Sequence, residues 1–346
     1  MRRFTGWATS PGEGAYSGAL LHTMTVSRPA ERADIIPVYK GLWAAEYPKD
    51  LRTEAEVALV YMGLPDGAFE QNWVIEDEGD PAGVVIIVDP AGDLSPKRLT
   101  GDVSLHLDHE EQAVPVALDL FERACHSCGA ASFSVWTSDL LPRRVQLYES
   151  AGLSCIQKAP VSRLDLSDFD FRRWDSAVER VLDTGLQFVS VEELDRRGVD
   201  WKHRLYLAVE DMARDIPSPH GPHPSVPFDR WLEWLEDHER FPRNLMFAAM
   251  DGEEFVGYSR LMPSLANPGL AYTAMSGVAR PYRRRGIVTA LKVLGLRALR
   301  DLGYRVVQTD NNEINPMFDL NVALGFQTVW TWLEFEKVLV PAAPHV

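Results

Sequence analysis

Cations are in short supply in this sequence: 35 Lys and Arg face 50 Asp and Glu, a formal charge of −15. That balance argues against general nucleic-acid binding, which needs a basic face, and is compatible with a cationic acceptor without naming one. Cysteine is scarcer still. Cys125, Cys128 and Cys155 are an odd set with no second C-x-x-C, which favours neither a disulfide framework nor a zinc site. The lone Cys125-His-Ser-Cys128 carries little redox or metal signal, because a reducing cytoplasm, the compartment expected here, leaves such thiols free. Long apolar runs are missing as well. No stretch approaches the ~20 apolar residues of a membrane-spanning helix, and Arg2 and Arg3 are not followed by a signal-peptide core. Residues 1–23, rich in Gly and Ser, read as a disordered extension, with Met24 as an alternative start.

What is present suffices for sizeable cores. With 46% hydrophobic residues over 346 positions, the chain has the length of about two domains of roughly 150 residues each. It is organised around residues 271–291. Residues 271–278 are small and apolar, as a buried strand requires, and Pro281 stops the ladder. Gly286 then permits a close backbone approach, and Ile287, Ala290, Leu291, Val293 and Leu294 give the next helix an apolar stripe. Unpaired amides at such a helix start, backed by the positive end of the dipole, bind phosphate, and Arg283, Arg284 and Arg285 add charge. On the turn alone, a solvated arginine cluster explains these residues equally well.

The flanks break that tie. Val278, Tyr282, Arg283, Arg285, Gly286 and Ile287 form V-x-x-x-Y-R-x-R-G-I, which resembles the acyl-CoA pyrophosphate loop of the GNAT superfamily of N-acetyltransferases. Further along, Thr309-Asp-Asn-Asn-Glu-Ile-Asn-Pro-Met-Phe and then Asn321-Val-Ala-Leu-Gly-Phe look like the family's next strand, its short helix against the pantetheine arm, and its closing turn. The resemblance implies acetyl-CoA as co-substrate and no metal. Its binding residues would be Val278, Ala279, Arg280, Arg283, Arg284, Arg285, Gly286, Ile287, Val288 and Thr289, with Asn311 and Asn315 beside the pantetheine arm. Val288 is one departure, standing where the family usually keeps a small residue.

The same pattern occurs earlier in eroded form. Residues 36–61 are helical in pattern, 73–75 and 84–88 read as strands, 114–124 as a helix and 132–136 as a strand; Val145 to Leu153 then looks like the family's L-Y-x-x-x-G-F ending. Where the phosphate loop would stand, between Val103 and Val116, there is no glycine, and Asp108, Glu110 and Glu111 replace cations. Carboxylates there repel a diphosphate. The expected organisation is a degenerate domain at 24–166, a connector at 167–185 and an intact catalytic domain at 186–340. The expected fold class is α/β of the α+β kind: two tandem GNAT-like domains, each a mixed, mostly antiparallel sheet flanked by helices. One degenerate and one intact copy in tandem is similar to mycothiol synthase and related actinobacterial acetyltransferases.

For the acceptor, residues 215–229 hold five prolines, two histidines and a glycine, so regular structure cannot persist there. The superfamily usually builds its acceptor wall at this place, which makes Asp215, with Asp211, His220 and His223, candidates to steer or deprotonate an amine. Asp215 is expected to contribute most, since the histidines lie in the middle of a run that faces solvent. His220-x-x-His223 has no third ligand, and the spacing of Trp231 and Trp234 is what helix packing alone demands.

The chemistry the resemblance implies is direct attack of a deprotonated amine on the thioester, the thiolate leaving with a proton from a hydroxyl, commonly a tyrosine. That position is Asn321 here, and the tyrosine survives only as Tyr148 in the eroded half. Tyr272, Ser276 or Thr309 stands in, or the thiolate leaves unassisted, which a thiol pKa of about 8.5 makes tolerable. The expected function is acetyl-CoA-dependent N-acetylation of a small amine, in antibiotic modification or specialised metabolism, by a monomer or homodimer. The alternatives are a non-catalytic acyl-CoA sensor and a protein N-acetyltransferase.

Overall fold

The computed structural model describes residues 25–26, 30–58, 64, 67–89, 97–198, 200–221 and 225–339. The extension expected at 1–23 and His223 lie outside the described residues.

The first half runs β1 (Thr25–Val26), α1 (Arg32–Glu46), α2 (Glu54–Val57), β2 (Glu70–Asp77), β3 (Asp80–Val88), β4 (Arg98–Leu105), α3 (Glu110–Cys128), β5 (Ser132–Ser138), α4 (Pro142–Ser150) and β6 (Ser154–Asp165). The second continues through α5 (Asp175–Leu182), β7 (Gln187–Ser190), α6 (Val191–Arg197), α7 (Lys202–Ala213), α8 (Phe228–Glu236), β8 (Met246–Asp251), β9 (Glu254–Pro263), β10 (Leu270–Val278), α9 (Ile287–Asp301), β11 (Val306–Asp310), α10 (Pro316–Ala323) and β12 (Gln327–Val338). Local chemistry explains much of this. The β2–β3 hairpin turns at Glu78-Gly79, both left-handed, the geometry that matches strand twist. Burial along β4 alternates at Leu99, Val103 and Leu105, a two-residue period that marks the strand although Gly101 and Asp102 interrupt its hydrophobicity. The sequence reading passed over β4. No helix among the described residues is long and apolar enough to cross a membrane.

The twelve strands among the described residues form one sheet, in the order β1-β2-β3-β4-β5-β12-β6-β11-β10-β9-β8-β7. The pairs β4–β5 and β10–β11 are parallel and the others antiparallel. The two halves exchange their last strands: β6 pairs with β11 of the second half, while β12 lies between β5 and β6. Each half of the sheet is covered on both faces. On one face of the first half, Phe121 of α3 shares a core with α4 and with Ile87 and Phe133 of the sheet; on the other, Trp43 of α1 shares a core with Val84 and Ile86. In the second half, α5 and α9 share a core around Val181, Ala290 and Leu291, while α6, α7 and α8 pack on the other face with Trp231 in their midst. Trp231 is thus core, as its spacing implied, and the segment read as a connector contributes α5 to the second core.

The first half differs from the second at the end of β4. Arg144, in the first turn of α4, is 1% exposed and lies between two buried carboxylates, Glu46 at 2.6 Å and Glu110 at 2.8 Å. Glu46 also accepts from Ser104 Oγ (2.9 Å) and Leu105 N (2.7 Å), and Arg144 donates to Val103 O (3.1 Å). Beside them Glu111 pairs with Arg143 at 2.6 Å. Of the three carboxylates expected to repel a diphosphate, Glu110 is committed inside the protein, whereas Glu111 and Asp108 stay at the surface, and the end of β4 is filled rather than merely negative. Removing one member of a buried ion cluster strands the others without compensation, at about 3–5 kcal/mol, whereas replacing all members by apolar groups can be close to neutral. Arg144→Met should accordingly lower the urea midpoint sharply, and joint replacement of Glu46, Glu110 and Arg144 by apolar residues should recover most of the loss. An unchanged midpoint in Arg144→Met would show that the cluster does not hold this half together.

Candidate active site

The second half opens where the first is closed. β10 and β11 pair over only three residues, Leu270 to Tyr272 with Val306 to Gln308. Beyond that they part, and at the fork Thr273 Oγ1 donates to Thr309 Oγ1 at 2.5 Å. On its other edge β10 stays paired to β9 as far as Val278, with a register shift between Thr273 and Ser276. Residues 273–278 thus present one edge of backbone donors and acceptors without a strand beside it, a place for an extended ligand to hydrogen-bond. Helix α7 closes one side, and it comes so near that a Cβ at Gly277 would stand 2.9 Å from Met212 Cβ.

The turn after β10 is built for an anion. Arg284 (φ 62°) and Gly286 (φ 81°) are both left-handed, which curls the backbone amides into a concave nest. Helix α9 starts at Ile287 without a side-chain cap. Among the described residues, the amides of 284–289 donate to no acceptor, and orphan amides at the positive end of a helix are a phosphate site. The arginines divide their work. Arg280 grips Asp215 with two hydrogen bonds (2.9 and 2.6 Å), and Arg283 bonds both Asp215 and Val278 O (3.1 Å). Arg285 donates to Pro281 O at 2.8 Å and sits 5.0 Å over the Tyr282 ring. Arg284 has no hydrogen bond or ion pair among the described residues. This turn, Ser276 to Val278, the end of α7 and the start of α10 enclose a cavity of about 610 Å³.

Several expected binding residues line that cavity: Val278, Arg283, Arg284, Gly286, Ile287, Val288, Thr289 and Asn315. Others do not reach it. Ala279 packs with the α7–α8 core, Arg280 is turned to Asp215, and Arg285 is held by the turn itself. Asn321 is 1% exposed; its Nδ2 donates to Asn311 Oδ1 at 2.7 Å and its Oδ1 has no partner, so this pair stands behind the cavity wall. Asn315 caps α10 by accepting from Met317 N. Of the hydroxyls named from the sequence, Ser276 lines the cavity and shares a 2.9 Å hydrogen bond with Ser259, whereas Thr309 is occupied at the fork.

Two acceptor-side expectations need correcting. Asp215 is no free base: hydrogen bonds from Arg280 and Arg283 pull its carboxyl down to about 2, so it is ionised and clamped throughout the neutral range. Such a depressed value favours the clamped form above the ordinary carboxylate pKa of about 3.9, and that advantage fades as pH falls toward about 2. His220 does not face solvent; its Nε2 lies 2.8 Å from Glu334 Oε1 on β12. In the eroded half, Tyr148 is fully buried and its hydroxyl has no partner. Cys125 is buried beside Ser132 O, and burial pushes its thiol up to about 12, the wrong direction for a reactive thiolate.

A second cavity, of about 210 Å³, adjoins the next stretch of β10. Tyr272 lines it, with Thr273, Ala274 and Asp310 from the second half and Arg52 and Glu56 from the first. The segment joining α1 to α2 reaches across: Leu265 N donates to Glu56 (2.8 Å), Asn267 to Leu51 O (2.7 Å) and Tyr272 to Asp50 (3.1 Å). Burial and the neighbouring Asp50 push the Tyr272 phenol well above its ordinary value, so it acts as a fixed donor. Asp310 is exposed at the mouth of this cavity, yet the protein packed around it raises its carboxyl above the usual carboxylate range, with Arg52 opposing. Sequence reasoning missed Asp310, although it stands inside the quoted Thr309-Asp-Asn motif, and missed Arg52 because nothing local ties residue 52 to strand β11.

The model of the acetyltransferase (GNAT) family matches residues 206–318, from α7 into α10, and so spans the turn and the larger cavity. This chain carries a GNAT domain. The whole chain follows a tandem GNAT fold. A GCN5-related N-acetyltransferase from Sphaerobacter thermophilus superposes with TM-score 0.65 at 18% identity, over 92% of this chain and 97% of that one. A tandem GNAT protein from the clavulanic acid biosynthesis pathway gives 0.66 at 16%, over 93% and 100%. A glucosamine N-acetyltransferase region of a fungal multi-domain β-N-acetylglucosaminidase gives 0.64 at 16%, over 91% of this chain and 38% of that one. No curated protein matches the chain. For a GNAT domain built this way, Asp215→Asn releases Arg280 and Arg283 from their clamp. It should raise the KM for the acyl donor by no more than about five-fold, because exposed ion pairs contribute little, and leave the acceptor KM unchanged. A selective rise in the acceptor KM would return Asp215 to the acceptor site.

Proposed function

We propose that this protein is an acetyl-CoA-dependent N-acetyltransferase acting on a small amine, with the donor in the larger cavity and the amine in the smaller one. The observation that carries the reading is the pairing of orphan amides at 284–289, beside the unpaired cation of Arg284, with the unpaired edge of β10 that leads from them to the fork. A diphosphate suits the first feature and an extended amide-bearing arm the second. Acetyl-CoA would supply the activated acyl group as a thioester.

The chain's own residues then account for the rest. Asp310 faces the smaller cavity from the end of β11, next to Thr273 at the fork, and is the carboxylate positioned to take a proton from an incoming ammonium. Its raised pKa keeps it a stronger base than an ordinary aspartate once ionised. Ser276 Oγ is the hydroxyl on the donor side available to a leaving thiolate. Holding donor and amine at adjoining stretches of one strand supplies much of the rate, since effective molarities in well-oriented systems are large. Asn321, buried and lacking an acidic proton, favours the second reading of a non-catalytic acyl-CoA-binding protein. A protein substrate fits less well, because the first half overhangs the smaller cavity.

Thiol release from acetyl-CoA with a panel of small amines tests the proposal, since a sensor binds the thioester without consuming it. Asp310→Asn should lower kcat by about 10²–10⁴ and remove the acidic limb of the pH profile. With the wild type, activity should fall as pH drops through the raised pKa of Asp310 and protonates the base. An unchanged limb in the variant would remove Asp310 from that role.

A further inference from the structure

The smaller cavity is lined by two opposite charges, Arg52 and Asp310, that make no side-chain hydrogen bond or ion pair among the described residues, although Arg52 also acts through space on Asp102. Arg52 stacks its guanidinium 3.7 Å above the Trp43 ring and makes no hydrogen bond or ion pair among the described residues. Across the cavity, the Asp310 carboxylate bonds only its own backbone amide among the described residues, with Arg52 and Asp50 acting on it through space. Arg52 and Asp310 feel each other electrostatically, yet they form no ion pair. The remaining charged groups there are already engaged: Glu56 accepts from Leu265 N and Ser264, and Arg240 bonds Asp237 and Ala55 O.

Opposite charges held apart at one cavity, Arg52 half-buried and Asp310 exposed, are free to be completed together by a ligand that carries both partner groups. A guanidinium pinned on an aromatic face is a planar fork already oriented for a carboxylate. A plain amine would leave Arg52 without a partner. We propose that the acceptor is a small amine that also bears a carboxylate, an amino acid in the chemical sense, with Arg52 holding the carboxylate and Asp310 the amine. This deepens the acetyltransferase reading and rests on it. A cavity of about 210 Å³ sets the size class. The transfer balances without further reagents: the ammonium gives one proton to Asp310, the amine nitrogen bonds the acyl carbon as the carbon–sulfur bond breaks, and the thiolate takes the proton that the tetrahedral nitrogen loses. The proposal also assigns the first half a task, since its loop at 47–53 carries the carboxylate-binding residue.

The test uses the full chain with glycine, β-alanine, γ-aminobutyrate and short α-amino acids, set against their methyl esters, the corresponding decarboxylated amines, aminoalkylphosphonates and glucosamine. The expected result is a kcat/KM for the best amino acid about 10–100-fold above its ester and its decarboxylated analogue, the range for a charge-assisted hydrogen-bonded pair. Arg52→Gln should erase that preference while leaving the KM for acetyl-CoA unchanged, and Arg52→Lys, which keeps the charge, should restore part of it. Esters, plain amines or glucosamine used as well as the amino acids would overturn the proposal, as would a folded Arg52→Gln that keeps the preference. Preference for phosphonates would overturn the carboxylate assignment. Calorimetry with the same amino acids, with and without CoA, separates this proposal from the acyltransferase reading. Arg52-dependent binding without turnover supports the amino-acid site and refutes the transferase, and absence of binding under both conditions refutes the amino-acid site.

Discussion

The antiparallel seam between β6 and β12 is what the rest of the molecule depends on. By giving each half the other's last strand, it makes one sheet of twelve strands from two repeats and leaves no edge at the junction. Because β6 satisfies the outer edge of β11, the inner edge of β11 is free to diverge from β10 without exposing β11 to solvent on both sides. The exchange also brings the α1–α2 segment over the second half, where Glu56 and Leu51 are hydrogen-bonded to the loop after β9 and Asp50 to Tyr272 of β10. A fork with one cavity at the turn after β10 and a second against the other half follows from that arrangement.

The two halves show what one fold does with opposite chemistry at the same place. Counting back eight residues from the closing glycines, Arg144 before Gly152 corresponds to Met317 before Gly325. Met317 lines an open cavity, whereas Arg144 fills its own with a cation fixed between Glu46 and Glu110. A buried ion cluster of that kind adds little net stability over an apolar core, but it is expensive to disrupt. In the first half, the corresponding space is filled by the protein's own side chains.

Much of the fold was legible because its signals are local. The apolar periodicity of α9, the β-branched run of β3 and the left-handed Gly286 each declare their geometry within a few residues. The turn proposed to bind phosphate was equally legible as a turn, since strand, turn, glycine and helix are contiguous. What stayed hidden was relational. The sequence does not say that β12 crosses into the other half, and without that crossing Arg52 and Asp310 are unrelated residues. Nor does an acidic residue next to a proline-rich run reveal that two arginines sixty-odd positions away have claimed it, as happened to Asp215. Asn311 was expected beside the pantetheine arm, but it accepts a hydrogen bond from the buried Asn321, and the pair lies behind the wall.

The central claim is that one half binds the acyl donor, through the amides of the turn around Gly286, and the other is closed. Calorimetric titration of acetyl-CoA into the full chain and into Gly286→Asp tests it most directly, because the substitution places a carboxylate in the nest. The account predicts one site per chain in the wild type and loss of binding in a folded Gly286→Asp protein. Two sites per chain, or undiminished affinity in the variant, would contradict it.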